Sequence, residues 1–394
     1  MRAFDFYTDA QRAACLAGTD TDVSSALTAA IAAARSRVAP HLVIDAGRHF
    51  IGNTTITMDL PDNSTVDFVG SIYSAASAKD ALVIGKASDI TRCLTISGLK
   101  IHRTLNDPTS GSVGVRLLNL VFARVHIPRC VAFTSGIIME GNAHGCAYNT
   151  IFPGFVHDNT TNLRLTASAL GYCNENTIIA GSFNHSGGWP GTSSTNILID
   201  HYAASPLSNN VFFHPSLEDN ADPAGSVVAA VINGENNALF MPRLENSAVQ
   251  ATYLIKLTAN SLGCQLIGDG FGVQRGNIDD LGSGNSYDTR DGRRLARSTP
   301  AASNRSVLSL QSTNSNTARA LQILDTAGAE SGYIDCSGDA ALHTATVSVS
   351  YKVGGTKVLG AQGAAVADAT DAASAITQLN ALLARARAHG WIAT

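Results

Sequence analysis

Charge is scarce in this chain: only 15% of its 394 residues are Asp, Glu, Lys or Arg, and the formal net charge is −4. A nucleic-acid binder needs a basic stripe, so no nucleic-acid partner is expected. No apolar run approaches the roughly 18 residues of a membrane span, so no membrane insertion is expected either. The start, Met1-Arg-Ala-Phe-Asp-Phe-Tyr7, lacks the apolar centre of a signal peptide. Cys-x-x-Cys pairs are missing. The seven cysteines (Cys15, Cys93, Cys130, Cys146, Cys173, Cys264 and Cys336) stand far apart. An odd, scattered set argues against a disulfide framework or a zinc site and reads as reduced, buried thiols made in a reducing cytosol. No Ser-His-Asp motif, phosphate loop or dinucleotide fingerprint occurs, so no cofactor is expected. Asp279, Asp280 and Asp288 lack the spacing of a calcium loop and read as solvated, so no metal is expected.

What the chain does have is repetition. Five segments are nearly the same: Asn149-Thr-Ile-Phe-Pro-Gly-Phe-Val156, Asn176-Thr-Ile-Ile-Ala-Gly-Ser-Phe183, Asn210-Val-Phe-Phe-His-Pro-Ser-Leu217, Asn237-Ala-Leu-Phe-Met-Pro-Arg-Leu244 and Cys264-Gln-Leu-Ile-Gly-Asp-Gly-Phe271. Their first residues are 27, 34, 27 and 27 positions apart, so one unit carries a seven-residue insertion. A period of this size marks a solenoid. Short apolar runs followed by Gly/Pro turns mark its elements as strands. Stacked Asn side chains can hydrogen-bond along such a stack. The spacing predicts an all-β fold, a parallel β-helix with about 27 residues per turn.

The rest of the chain is organised around that coil. A helix is expected over 22–37, with Val23, Leu27, Ile31 and Ala34 on one stripe and Asp22 or Thr21 as its cap. Strands follow at 42–45, 50–51 and 54–58. Residues 1–59 read as an N-terminal attachment and capping region, since the open end of a solenoid needs a cover. Residues 60–275 read as the coil, about eight turns and on the order of 40 Å long. Early strands are expected at 65–72, 94–101 and 117–127, and second strands at 136–139, 162–165, 196–199, 227–232 and 253–257. Residues 276–305 are rich in Gly, Asp, Asn and Ser and read as a linker. Residues 306–394 read as a small β-domain, with strands at 307–310, 320–324, 333–336, 344–351 and 356–359, followed by a helix over 368–389. Ala372, Ile376, Leu379, Leu383 and Ala386 form an a/d seam two heptads long. Such a helix either packs on its own β-domain or closes a three-fold bundle.

The run Ala17-Gly-Thr-Asp-Thr-Asp-Val-Ser-Ser-Ala-Leu-Thr-Ala-Ala-Ile31, followed by Leu42-Val-Ile-Asp-Ala-Gly-Arg-His-Phe-Ile51, resembles the entry segment of pectate-lyase-like right-handed β-helix proteins. The Asn-Thr-Ile turns resemble those of bacteriophage tailspikes. The segments Lys357-Val-Leu-Gly-Ala361, Ile376-Thr-Gln-Leu-Asn-Ala-Leu-Leu-Ala-Arg385 and His389-Gly-Trp-Ile392 resemble the C-termini of spike or fibre proteins from prophages and gene transfer agents of alphaproteobacteria. Together the resemblances cover most of 17–275 and 355–393. They imply a homotrimeric spike on the surface of a virion or virus-like particle. Its partners would be an attachment protein of the particle and a bacterial surface polysaccharide, such as a capsule. Some such spikes bind the glycan as a receptor and others depolymerise it, as glycoside hydrolases or lyases; a fold does not choose between these.

Candidate site residues follow from alternation along the strands. Phe183, Leu217, Leu244 and Phe271 align and are expected to point inward. The next residue points out, giving the column His157, Asn184, Glu218, Glu245, Gly272. Glu218 and Glu245 stand one turn, ~4.8 Å, apart. Carboxylates about 5 Å apart suit a retaining glycosidase and about 6.5–9.5 Å an inverting one, and proximity raises one pKa as a general acid requires. The alternative is a pair of solvated residues on a polar face. Asp200-His201-Tyr202 ends a second strand, and Asp200, His201 and Glu218 can form an acid/base cluster or serve as plain polar surface. The insertion His185-Ser-Gly-Gly-Trp189-Pro190-Gly-Thr-Ser193 maps to a surface loop. There Trp189 either stacks on a sugar ring or fills a groove between protomers. His185, His201, Tyr202, His157 and Arg243 complete the expected glycan contacts. A lyase would want clustered Asp with Arg; Arg164 and Arg243 are present, but no triple-Asp site is.

Overall fold

A 27-residue unit is too short to enclose a core of its own, so each unit must stack on the next. The computed structural model describes residues 1–105, 111–185, 194–200, 207–219, 227–246, 255–268, 278–288, 294–296, 319–324, 330–335, 340–342, 351–353, 356–359 and 370–388. The chain forms two compact units, Met1–Thr313 and Asn314–Thr394.

The first unit is a parallel β-helix. Thr65, Thr95, Arg124, Thr150, Thr177, Val211, Ala238 and Gln265 are register partners from rung to rung. Eight rungs make seven full turns. Two further long parallel stacks, beside a shorter four-stranded one, share the wall. One carries Ser71, Lys100, Arg129, Phe155, Ser182, Ser216 and Arg243 in register. The other is a nine-stranded sheet that includes Asp80–Gly85, Val113–Leu118, Ser135–Gly141 and Thr161–Ala167. These three walls are called the first, second and third faces below.

The coil is longer than its sequence pattern suggests. His41 already pairs with Thr65, and Gln265 pairs onward with Ser286. Residues 276–305, expected as a linker, therefore hold the coil strands Ile278–Asp280 and Ser286–Asp288. The reason is visible at Asn285. It is fully buried and accepts from the Cys264 amide at 2.8 Å, so a residue that reads as a loop signal is a core residue here.

Helix α1 (Asp9–Ala17), which the sequence pattern does not reveal, starts at a Thr8/Gln11 capping box and ends at Gly18 with φ of 75°. Helix α2 (Ser24–Arg35) buries Leu27, Ile31 and Ala34 and lies against His41–Ile44 and Ile56–Met58. Asp22 accepts from the Ser24 amide at 2.8 Å at its start. Among the described residues, no helix is long and apolar enough to cross a membrane.

Each turn rounds one corner through a left-handed residue. Phe122, Tyr148, Glu175, Asn209 and Asn236 have φ between 51° and 58°. This conformation is costly for ordinary residues, so the surroundings must hold it. The residue that follows points inward: Asn149, Asn176, Asn210 and Asn237, each at most 1% exposed. Asn149 Nδ2 donates to Asn176 Oδ1 at 2.9 Å, Asn176 to Asn210 at 3.0 Å, and Asn210 to Asn237 at 3.1 Å. The same Nδ2 groups donate to Leu120, Cys146, Cys173 and Leu207 carbonyls. A second buried ladder, Asn159 to Asn162 to Asn196, was not legible in the repeat.

Five of the six described cysteines are buried and all six are free. Cys93, expected to be buried, is exposed because it occupies a left-handed corner, with φ of 55°, rather than an inward position.

In the second unit, Arg319–Leu324, Glu330–Asp335 and Ala340–Leu342 form an antiparallel sheet, and Tyr351–Val353 pairs with Thr356–Leu359. The strand expected at 307–310 and most of that at 344–351 lie outside the described residues. Helix α3 (Ala372–Ala388) leaves Ile376 and Leu379 of the expected seam exposed.

Asn176→Ala removes four buried hydrogen bonds, from the Asn149 amide and Nδ2 and to the Cys146 carbonyl and Asn210 Oδ1. Asn149 Nδ2 keeps the Leu120 carbonyl and Asn210 Oδ1 keeps the Asn176 amide, but at about 1 kcal/mol per lost bond the loss should still reach about 3 kcal/mol. Its outward neighbour, Thr177→Ala, should cost under about 0.5 kcal/mol. Urea unfolding followed by circular dichroism checks this, and equal losses would show that the ladder does not hold the coil.

Candidate functional site

The register confirms the alternation on the second face. Val156, Phe183, Leu217 and Leu244 are partners and all are buried. His157, Asn184 and Glu218 form the neighbouring column on the other side of the strands, and the Glu245 backbone continues its register. Phe271, Gly272, Trp189, His201 and Tyr202 lie outside the described residues.

Glu218 is a tie across three rungs. Its carboxylate accepts from Ser182 Oγ at 3.3 Å, Ser216 Oγ at 2.8 Å and Asn184 Nδ2 at 3.0 Å, and Arg243 Nη1 stands 3.6 Å away. Its side chain is only 16% exposed, while that of Arg243 is 62% exposed. Glu245 is its backbone partner on the next rung. Asp200 is not brought to Glu218: it forms an ion pair with Arg164 of the third face. Of the cluster expected from Asp200, His201 and Glu218, the two carboxylates are engaged by different faces, and His201 lies outside the described residues.

His185 is not a surface residue. The strand Ser182–His185 runs one residue further than its pattern suggests, so alternation turns His185 inward beside Phe183. It is 3% exposed, with Nε2 at 3.5 Å from Asn162 Nδ2. Burial pushes its pKa down to about 4, with Asp158 opposing weakly. His157 is mostly covered. Its Nδ1 is 2.7 Å from Asp158, its Nε2 is 3.4 Å from Arg129 Nη2, and its ring lies 4.1 Å from that of Phe155.

Three outward features carry no signal in the repeat. On the second face, the Arg48 guanidinium sits 3.8 Å over the Tyr73 ring, and Tyr73 stacks on His102 at 4.8 Å. Burial first, then Arg129, His157, Arg48 and Lys100, push the His102 pKa down to about 4. On the third face, Arg116 grips Asp80 bidentately, at 2.7 and 2.9 Å, and also holds Glu140. These line a groove of ≈ 540 Å³ with Thr57 and Asn142. On the first face, Ile179, Phe213, Phe240 and Ile267 align outward, with Phe213 and Phe240 stacked at 5.1 Å. Ladder positions 64, 94 and 123 hold Ser, Leu and Ala rather than Asn, so the early turns offered no anchor from which to derive this register.

No family model matches the chain, and no curated protein sequence matches it. Among solved structures it is similar to ORF18 of Geobacillus virus E2, at 13% identity over 88% of this chain and 86% of that one, with a TM-score of 0.47. It is also similar to the A-modules of the mannuronan C-5 epimerases AlgE4 and AlgE6 of Azotobacter vinelandii. Those align at 10% and 12% identity over 73% of this chain and 97% and 98% of theirs, with TM-scores of 0.28 and 0.22. At such scores, the function has to be argued from the surface of the coil itself.

The buried His185 sets an acid limit on the fold. Between its ordinary 6.5 and about 4, the unfolded chain takes up a proton that the folded chain refuses. Its contribution is fully present above pH 6.5 and is lost as pH falls through that window, by up to roughly 3 kcal/mol. Melting temperatures at pH 7.5, 6 and 5 should fall steadily in the parent and less steeply in His185→Gln. Parallel slopes would assign the acid sensitivity to other groups.

Proposed function

We propose that this chain is the spike or fibre protein of a phage or gene transfer agent particle, and that its rod binds a host surface polysaccharide as a receptor. The observation that carries this is the second face. Its outward column runs in register through Tyr73, His102, Val131, His157, Asn184 and Glu218 on strands stepped by ~4.8 Å; Tyr73 and His102 are half-buried, whereas His157 and Asn184 are mostly covered. A polysaccharide repeats hydroxyl groups and flat apolar ring faces along its length. A rigid column of aromatic rings and hydrogen-bonding groups meets it at several units at once. The resemblances at the two ends of the chain support the particle. The aligned Phe213 and Phe240, with Phe213 38% exposed, support a homotrimer, since side-by-side rods would cover that apolar column.

Binding is favoured over cleavage by how the two candidate carboxylates with described side chains are used. Asp200 is paired to Arg164, and Glu218 is ringed by Ser182, Ser216, Asn184 and Arg243. Both are occupied in holding the coil together. The cysteines, all six described ones free, fit synthesis in a bacterial cytoplasm before display on the particle surface.

The test is incubation of the purified protein with capsular or exopolysaccharide from alphaproteobacterial strains. Retention of intact polymer, with no new reducing or unsaturated ends and with light scattering at the trimer mass, is the expected result. Fragment release that disappears in Glu218→Gln would replace this reading with a depolymerase. No retention of any host polymer would remove it.

A further inference from the structure

The second face carries a local excess of positive charge that the overall net charge of −4 conceals. Arg48, Ser71, Lys100 and Arg129 occupy one outward column, rung after rung. The parallel outward column runs Phe50, Tyr73, His102, Val131 and His157. Neither column holds an Asp or Glu over these rungs. Among the described residues, acids pair with the strip at its edges, where Asp20 meets Arg48 at 2.6 Å and Asp158 meets His157 at 2.7 Å. Among the described residues, no ion pair takes up Lys100 or Arg129, and Arg129 is exposed.

The strip is also rigid. Arg48, Tyr73 and His102 form a stack of guanidinium on phenol on imidazole, with the two rings within 9° of parallel. Arg129, His157, Arg48 and Lys100 lie near enough to His102 to add to the effect of burial on its pKa, so at neutral pH its imidazole is uncharged. An Arg fork and a Lys ammonium one rung apart, ~4.8 Å, match an acidic group that recurs along a chain. The strip is too short for a nucleic acid, whose binders neutralise about 6–10 phosphates.

We propose that Lys100 and Arg129, flanked by the Arg48–Tyr73–His102 stack, form the subsite for the acidic groups of an anionic polysaccharide, carboxylated or sulfated. This rests on the reading that the rod binds polysaccharide and adds the charge class of the ligand.

The test is native electrophoresis of the full chain through gels containing dextran, dextran sulfate or polygalacturonate. Retardation by either or both charged polymers, none by dextran, and its loss in 0.5 M salt are expected. Polygalacturonate alone would mark a carboxylate site and dextran sulfate alone a sulfate site. Lys100→Gln/Arg129→Gln should weaken retardation at least tenfold. Arg37→Gln/Arg124→Gln, with the same charge change elsewhere, should leave it within twofold, and thermal melts check that both variants fold. The proposal falls if dextran retards equally, if both double variants weaken alike, or if oligothymidylate competes as well as the charged polysaccharides. If host polysaccharide is retained but is indifferent to Lys100 and Arg129, this subsite falls and the receptor reading stands. If no polysaccharide is retained, both fall.

Discussion

Stacking in register is the constraint on which everything else in the coil depends. Each rung is too small to have a core, so its apolar residues are buried only when the next rung covers them. Closing each turn requires a sharp corner, and a corner inside a dry coil strands amides and carbonyls without strand partners. The Asn149–Asn176–Asn210–Asn237 ladder meets both needs: it satisfies corner carbonyls and links each rung to the next. Left-handed backbone at bulky residues such as Phe122 and Tyr148 is tolerated because the ladder behind the corner holds it in place.

That constraint passes directly to the surface. Once the inward residues are in register, the outward ones must be as well, so every face becomes a set of columns. The three faces have different chemistries. The first offers an apolar column around Phe213 and Phe240. The second offers cations and rings that give way to Ser, Asn and Glu. The third offers the Asp80–Arg116–Glu140 network beside a groove. A rod with chemically distinct faces can assemble through one and meet a polymer along another, which is the logic of the spike reading.

Polar residues in this chain often serve the coil rather than a ligand. Glu218 joins three rungs, Asp200 neutralises Arg164, and His185 is enclosed beside Phe183. Each looks like a candidate reactive group when only its identity and spacing are known. What distinguishes them is whether the side chain is spent on a neighbour, and that is decided by residues as far apart as Glu218 and Ser182.

The sequence by itself determined the parallel coil, its 27-residue step, the Asn ladder and the inward column through Phe183 and Leu217, because each is a periodic pattern and period is what a repeat writes into a chain. It also marked the α2 stripe at Leu27 and Ile31. Only the tertiary structure decided where the coil begins and ends, since Asn285 reads as a loop residue until a rung closes over it. It alone decided that His185 turns in, because one more residue of strand reverses the side a residue faces. It alone aligned Arg48, Tyr73, Lys100, His102 and Arg129, which lie on irregularly spaced early turns with no Asn to set their register. Proximity across turns of unequal length is a property of the stack, and no single rung contains it.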